Sequence, residues 1–274
     1  MKKIFKLQNI FLLFCIGLFV VSLTQIVLKL KGYSDGNAAY QDAETRFGIS
    51  STAETDSSAP QEPNDPLLTQ ATGFFKDCDF DALTAVNPET IAWIVIPGTN
   101  ISYPVCQHDD NQYYLDHTSQ KESSFVGSIF ADYRMQDPFK EFNTILYGHR
   151  LLNQTMFSAL KTYRQKDVWE KHPYIYIYTP EQIYVYEIYA VFQGDPTGES
   201  YHTSINTKEN RQNFIDYTLS NAEYDTGITP TTEDSILTLS TCTGKGHAKR
   251  LIVHSVLRAN APSANLPGTQ NPDT

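Results

Sequence analysis

Only four cysteines are spread over the 274 residues, and their positions argue against a disulfide-stapled fold. Cys15 lies inside an apolar run, Cys78 sits in the acidic stretch DCDFD, and Cys106 ends a strand-like run. One bridge in the body would spare Cys242, between Cys78 and Cys106, but both are read as unpaired thiols that fill space. No acidic residue precedes Tyr33, whereas five of the 21 basic ones do. Beyond it, 16 basic residues face 31 acidic ones, a net charge of −15. That balance excludes nucleic acid and an anionic membrane face as favoured partners of the body. No repeat period appears. The chain is not short of core-forming residues: 41% apolar and 12% aromatic content excludes disorder throughout and fills one sizeable domain plus accessory segments.

From Ile10 to Leu28 the chain is almost wholly apolar, broken only by Gly17, Ser22, Thr24 and Gln25, about the length a helix needs to cross a bilayer. Lys2, Lys3 and Lys6 would keep the N-terminus cytoplasmic, and no small-x-small cleavage site follows. The expectation is a single-pass transmembrane anchor over residues 1–31, with the body outside the cell membrane. Lys29 and Lys31 on the far side weaken the charge asymmetry and leave a cleaved signal sequence as the alternative.

Residues 32–66 lose apolar periodicity and collect Ser, Thr, Asp, Glu and Pro, the composition of a flexible, solvated spacer. Residues 67–260 read as the main folded domain and 261–274 as a loose tail. Leu67 to Leu83 predicts one or two short helices. From Ile91 onward the pattern turns β-rich: IAWIVIP, ISYPVC, VGSIFA and NTILYGH, with Pro, Gly and Asn marking the breaks. PYIYIYT and QIYVYEIYAVF alternate Tyr with Ile or Val around a tight turn at Thr179 to Glu181, which predicts a hairpin with two different faces. SILTLSTC and RLIVHSVLRA supply a final pair of strands. Helical spacing is found over Met156 to Lys171 and Lys208 to Ala222, the second inside a long connection of the kind that carries function.

TLSTC places Cys242 at the end of an apolar strand, Arg250 follows eight residues later, and His149 ends ILYGH. Together these supply a thiol nucleophile, a proton carrier and a permanent cation, the parts of covalent acyl transfer. A free thiol is mostly protonated at neutral pH, so it needs a base or cation beside it. Arg250 is too basic to accept a proton and suits an oxyanion or a substrate carbonyl, whereas His149 suits the proton transfers. On spacing alone a cysteine in an apolar run is more often core than nucleophile.

ILYGHR, TLSTC and the arginine of KRLIVHSVL closely resemble the sortases of Gram-positive bacteria. IAWIVIPGTNISYPVCQ, DNQYYLDH and VGSIFADYR match further segments of that family in the same order, so the resemblance covers about residues 88–259. A helix in the long final connection and helical residues before the first strand make it most similar to class B. The resemblance implies a mainly β fold, a closed eight-stranded barrel with peripheral helices, and a transpeptidase with Cys242 as nucleophile, His149 as general acid/base and Arg250 at the oxyanion. It also implies a substrate groove at Asn111, Leu115, Tyr147, Ser240 and Thr241. The implied reaction cleaves the C-terminal sorting signal of a surface protein after Thr, holds a thioester, and passes the protein to a peptidoglycan precursor amine or a pilin lysine. No cofactor is called for. Pilin polymerisation, a cysteine protease using water, and a non-catalytic wall-binding module stay open beside it.

Thr243 stands where class B members commonly carry an acidic residue, and TGKGHAK between Cys242 and Arg250 is short and Gly/Lys-rich. His247 in that flexible stretch is poorly placed to serve as a second base. His108, Asp109, Asp110, Asp116 and His117 lack a fixed ligand spacing, so no metal is assigned. His254, alternating with apolar residues on a strand, is read as structural. LPGT and NPDT in the tail resemble sorting signals without the apolar anchor that completes one; chance explains them better than self-capping of the groove.

Overall fold

A computed structural model describes residues 2–49, 65–242 and 249–263. Among these, strands β1 (Thr90–Ile96), β2 (Ile101–Cys106), β3 (Ile129–Ala131), β4 (Asn143–His149), β5 (Tyr174–Tyr178), β6 (Gln182–Gly194), β7 (Ile236–Cys242) and β8 (Arg250–Pro262) close into a barrel. Their order around it is β1-β2-β3-β4-β7-β8-β6-β5. Neighbours run antiparallel except β2 with β3 and β4 with β7. This is the mainly β, closed eight-stranded architecture expected from the sequence.

The Tyr/Ile alternation explains why both faces of this wall are buried. Ile175 and Ile177 of β5 point with Ala92, Ile94 and Ile96 of β1 into the barrel, while Tyr176, Tyr178, Trp93 and Val95 point outward into a second apolar cluster. Helices α1 (Lys2–Phe47), α2 (Pro66–Phe75) and α3 (Phe80–Val86) cover that outer face. Phe47 stacks on Trp93 at 4.6 Å, and Phe75 packs on Tyr178 at 5.1 Å. Each such fully buried ring contributes roughly 2–3 kcal/mol. Asp65 and Asp79 cap α2 and α3 by accepting from the amides of Leu67 and Ala82, which satisfies donors that a helix start leaves orphaned. Helix α4 spans Lys166–Lys171, and α5 (Lys208–Asn221) lies in the long connection between β6 and β7.

Two expectations need correction. The spacer expected over residues 32–66 does not begin at 32: α1 runs on to Phe47 and buries Ala39, Tyr40, Ala43 and Phe47 against the barrel. Its contact face is built largely from small residues, which carry little apolar signal. Residues 50–64 lie outside the described residues, as do 264–274 with their LPGT and NPDT motifs and 243–248 with Thr243 and His247. The single helical stretch over Met156 to Lys171 is instead a 3-10 segment, Phe157–Arg164, followed by α4. Extended backbone at Gln165 separates them. Cys78 and Cys106 are free and buried, with no bridge between them.

Candidate active site

The parallel pairing of β4 with β7 aligns Asn143 with Ile236 and continues residue by residue to His149 opposite Cys242 at the ends of both strands. Strand β8 starts beside them at Arg250, paired with Gly194 of β6. The three residues singled out from sequence therefore meet at one end of the barrel, Cys242 by its backbone, its side chain lying outside what the structure describes. Thr241 is buried, and its hydroxyl accepts from the Leu251 amide at 3.1 Å, fixing β7 to β8 one residue from Cys242 and one from Arg250.

His149 is held from behind. Its Nε2 lies 2.6 Å from the carbonyl oxygen of Leu115. A carbonyl can only accept, so Nε2 carries the proton and Nδ1 is left as the basic nitrogen of the neutral ring. Gly127 makes the close approach possible. At φ +64°, a Cβ there would fall 2.7 Å from His149 Cδ2 and 2.8 Å from the carbonyls of Leu115 and Tyr114, so only glycine fits both the backbone and the space.

A cleft of about 250 Å³ opens next to this strand end, lined by Asn111, Leu115, Tyr147, Ser240 and Arg250 together with Gln112, Phe130, Pro196 and Tyr201. Four of the five groove residues expected from sequence thus share one wall, and Thr241 lies behind it. Asp132, wholly buried beneath the cleft, organises that wall. Its carboxylate accepts from Tyr147 Oη at 2.8 Å, Asn111 Nδ2 at 3.2 Å, and Arg134 Nε and Nη2 at 2.8 and 2.7 Å. Asn111 Oδ1 accepts in turn from the Tyr133 amide. Arg134 donates to the Tyr201 carbonyl, and Tyr201 Oη lies 2.8 Å from Ser240 Oγ. Burial by itself would raise the Asp132 pKa, but the Arg134 side chain and amide and the Tyr147 hydroxyl hold it below the usual carboxylate range. Burial and the Asp132 charge push the Tyr147 phenol up, so it remains a neutral donor.

Sequence reasoning did not assign Asp132, Arg134 or Tyr201 to the groove. FADYR offered a signal for the first two, an acid directly after an apolar strand and two residues from a cation; Tyr201 sits in a polar stretch with none. Burial pushes the Cys106 thiol up to about 12 and the Cys78 thiol up as well, so neither supplies thiolate at neutral pH. His254 is buried between Thr238 Oγ1 and Ser200 Oγ, at 2.9 and 3.1 Å. Asn143 donates to the carbonyls of Ser200 and His202 from the same cluster, which ties the segment carrying Tyr201 to the barrel. His108 pairs with Glu89 and His117 with Asp116. Among the described residues no group of three His, Cys, Asp or Glu is arranged to hold a metal ion.

The family described as the sortase domain matches residues 94–258. Sortase B of Listeria monocytogenes serovar 1/2a is 30% identical over 241 residues, covering 86% of this chain and 95% of the relative. A solved Staphylococcus aureus sortase B-substrate complex superposes with a TM-score of 0.68 at 26% identity, covering 82% of this chain and 97% of the other. Sortase B of Clostridium perfringens superposes at 0.61 with 31% identity, over 66% of this chain and all of its own.

Proposed function

This chain belongs to the sortase family of cysteine transpeptidases, and on that premise we propose that it cleaves a sorting signal after Thr, holds the surface protein as a thioester on Cys242, and delivers it to a cell-wall amine. The observation that supports this reading is the β4–β7 register, which sets His149 opposite Cys242 at the mouth of a cleft that Arg250 also lines.

The Cys242 thiolate attacks the threonine carbonyl carbon, and the carbonyl π electrons move onto oxygen. Arg250 offers N–H donors to that oxyanion. As the tetrahedral centre collapses, the C–N bond breaks and the protonated imidazole of His149 gives its proton to the departing amine. A thioester remains. The neutral imidazole then accepts a proton from the incoming amine, whose nitrogen displaces the Cys242 sulfur and restores thiolate and imidazolium. The cleft wall of Asn111, Tyr147 and Ser240 presents hydrogen-bonding groups to an extended peptide on this face. The apolar first part of α1 is long enough to cross a membrane, and we read it as the anchor that leaves the barrel on the outer side.

The test is mass spectrometry of the full chain incubated with a library of LPxTG-like and NPxTN-like peptides. The expected result is an acyl adduct on Cys242, discharged by an added wall-type amine. Cys242→Ala, His149→Ala and Arg250→Ala should each abolish the amine-linked product. Retained product in Cys242→Ala, or an adduct that only water discharges, would overturn the reading.

A further inference from the structure

Burial along α1 changes sharply at one place. Every large apolar side chain from Ile10 to Leu30 is exposed, and Lys31 is exposed too, whereas from Gly32 one stripe of the same helix turns onto the barrel. The residues of that stripe recur at helical spacing and begin small. A Cβ on Gly32 would fall 2.5 Å from the Phe125 ring, and one on Gly36 would fall 2.8 Å from Val126. Ala39, Tyr40, Ala43 and Phe47 follow, all buried. The helix does not break between the two regimes.

From this continuity we propose that α1 acts as a rigid strut that seats the catalytic end of the barrel on the lipid headgroup layer. The proposal rests on the reading of α1 as a membrane-spanning anchor. At about 1.5 Å per residue, Gly32 lies only about 6 Å beyond Leu28, the end of the apolar run, and Tyr40 about 18 Å beyond it. The first height falls within the headgroup layer, about 5–7 Å thick, and the second about 10 Å above it. Phe125 packs edge-on against Tyr33 at 4.9 Å and stays 39% exposed. A part-exposed aromatic pair at that height, with Phe125 outermost and Tyr33 half-buried, matches the chemistry of the membrane interface, where rings sit among headgroups. Lys29 and Lys31, exposed on the helix at the same level, suit lipid phosphates at the foot of the strut, while the net charge of −15 on the body beyond them limits the contact to this one edge of the barrel.

The strut also reaches the site. Tyr40 Oη donates to the carbonyl of Gly127 and lies 3.1 Å from Ser128 Oγ, and Gly127 is the residue packed against the His149 ring. One short chain of contacts thus fixes the height of His149 above the bilayer.

The experiment uses the full chain in vesicles carrying a headgroup-spin-labelled phospholipid. It compares tryptophan quenching in Phe125→Trp with that in Val86→Trp, each corrected for the parent protein. Val86 lies beside Ala43 and Arg46, about 22 Å beyond Leu28 along the helix. Phe125→Trp should be quenched several-fold more strongly, and a short flexible Gly/Ser insert between Lys31 and Gly32 should erase the difference. Equal quenching at the two positions, or an insert without effect, overturns the docking while flotation with the vesicles leaves the anchor reading standing. A chain that fails to float overturns the anchor reading and the docking together.

Discussion

Replacing Asp132 with asparagine removes the charge on which the cleft wall converges while keeping the size of the side chain. The carboxylate accepts from Tyr147, Asn111 and two guanidinium nitrogens of Arg134. An asparagine amide can satisfy those donors from one side only, and its own N–H group would face another donor. A hydrogen bond to a charged group contributes roughly 1.5–3 kcal/mol. Arg134 is 42% exposed, so its share belongs at or below the lower end of that range. A stability loss of about 2 kcal/mol follows, small enough for the chain to remain folded. The consequence for catalysis is more specific. Asn111 and Tyr147 lose their fixed positions, so peptide binding should weaken by about 1 kcal/mol and KM rise about fivefold. The described partners of the Asp132 carboxylate do not include His149 or Arg250, so kcat should stay within about twofold. Steady-state cleavage of a quenched fluorescent sorting peptide separates the two parameters. An unchanged KM beside a lowered melting temperature would make Asp132 purely structural and refute the argument. A collapse of kcat at constant KM would refute it equally.

His254 is wholly buried and burial lowers its pKa from 6.5 to about 3. The neutral ring is therefore the folded form, and the stability it contributes is full above pH 6.5 and is lost as pH falls toward 3. At about 1.36 kcal/mol per unit the loss approaches roughly 4 kcal/mol across that window. Thermal melts of the parent should decline over the window while those of His254→Gln stay flatter, and parallel curves would assign the acid sensitivity elsewhere. Gly127→Ala forces a methyl group into the His149 ring and two carbonyls at positive φ. Peptide cleavage should fall about tenfold to a hundredfold with the barrel's circular dichroism preserved; full activity would show that His149 is not held by this contact.

The strands were legible because their alternation is strong. YIYIY and QIYVYEIY announce a wall with two distinct faces, and the structure buries one inside the barrel and the other under helices. The pairing of β4 with β7 was not legible, since it joins Asn143 to Ile236 across intervening strands and helices and leaves no local trace. The contact stripe of α1 was missed for a different reason. Gly32, Gly36, Ala39 and Ala43 pack by being small, and a search for recurring large apolar residues passes over them. At the site, sequence motifs named the candidate reactive residues that the strands bring to one end of the barrel, but the buried carboxylate beside them announced itself only through its neighbours.

That carboxylate and the proposed reactive residues depend on the same register. Leu146 of β4 and Leu237 and Leu239 of β7 point into the barrel core, so alternation sends Tyr147 and His149 to the other face, with Ser240 opposite Tyr147. A slip of one residue would turn Tyr147 inward and expose Leu146, losing a buried leucine and the Tyr147 to Asp132 hydrogen bond together. Burial of the core leucines and formation of the cleft wall are therefore one event. The enzyme needs no separate interaction to bring the β4 and β7 ends together, because the hydrophobic pattern that closes the barrel also sets the backbone of Cys242 opposite His149.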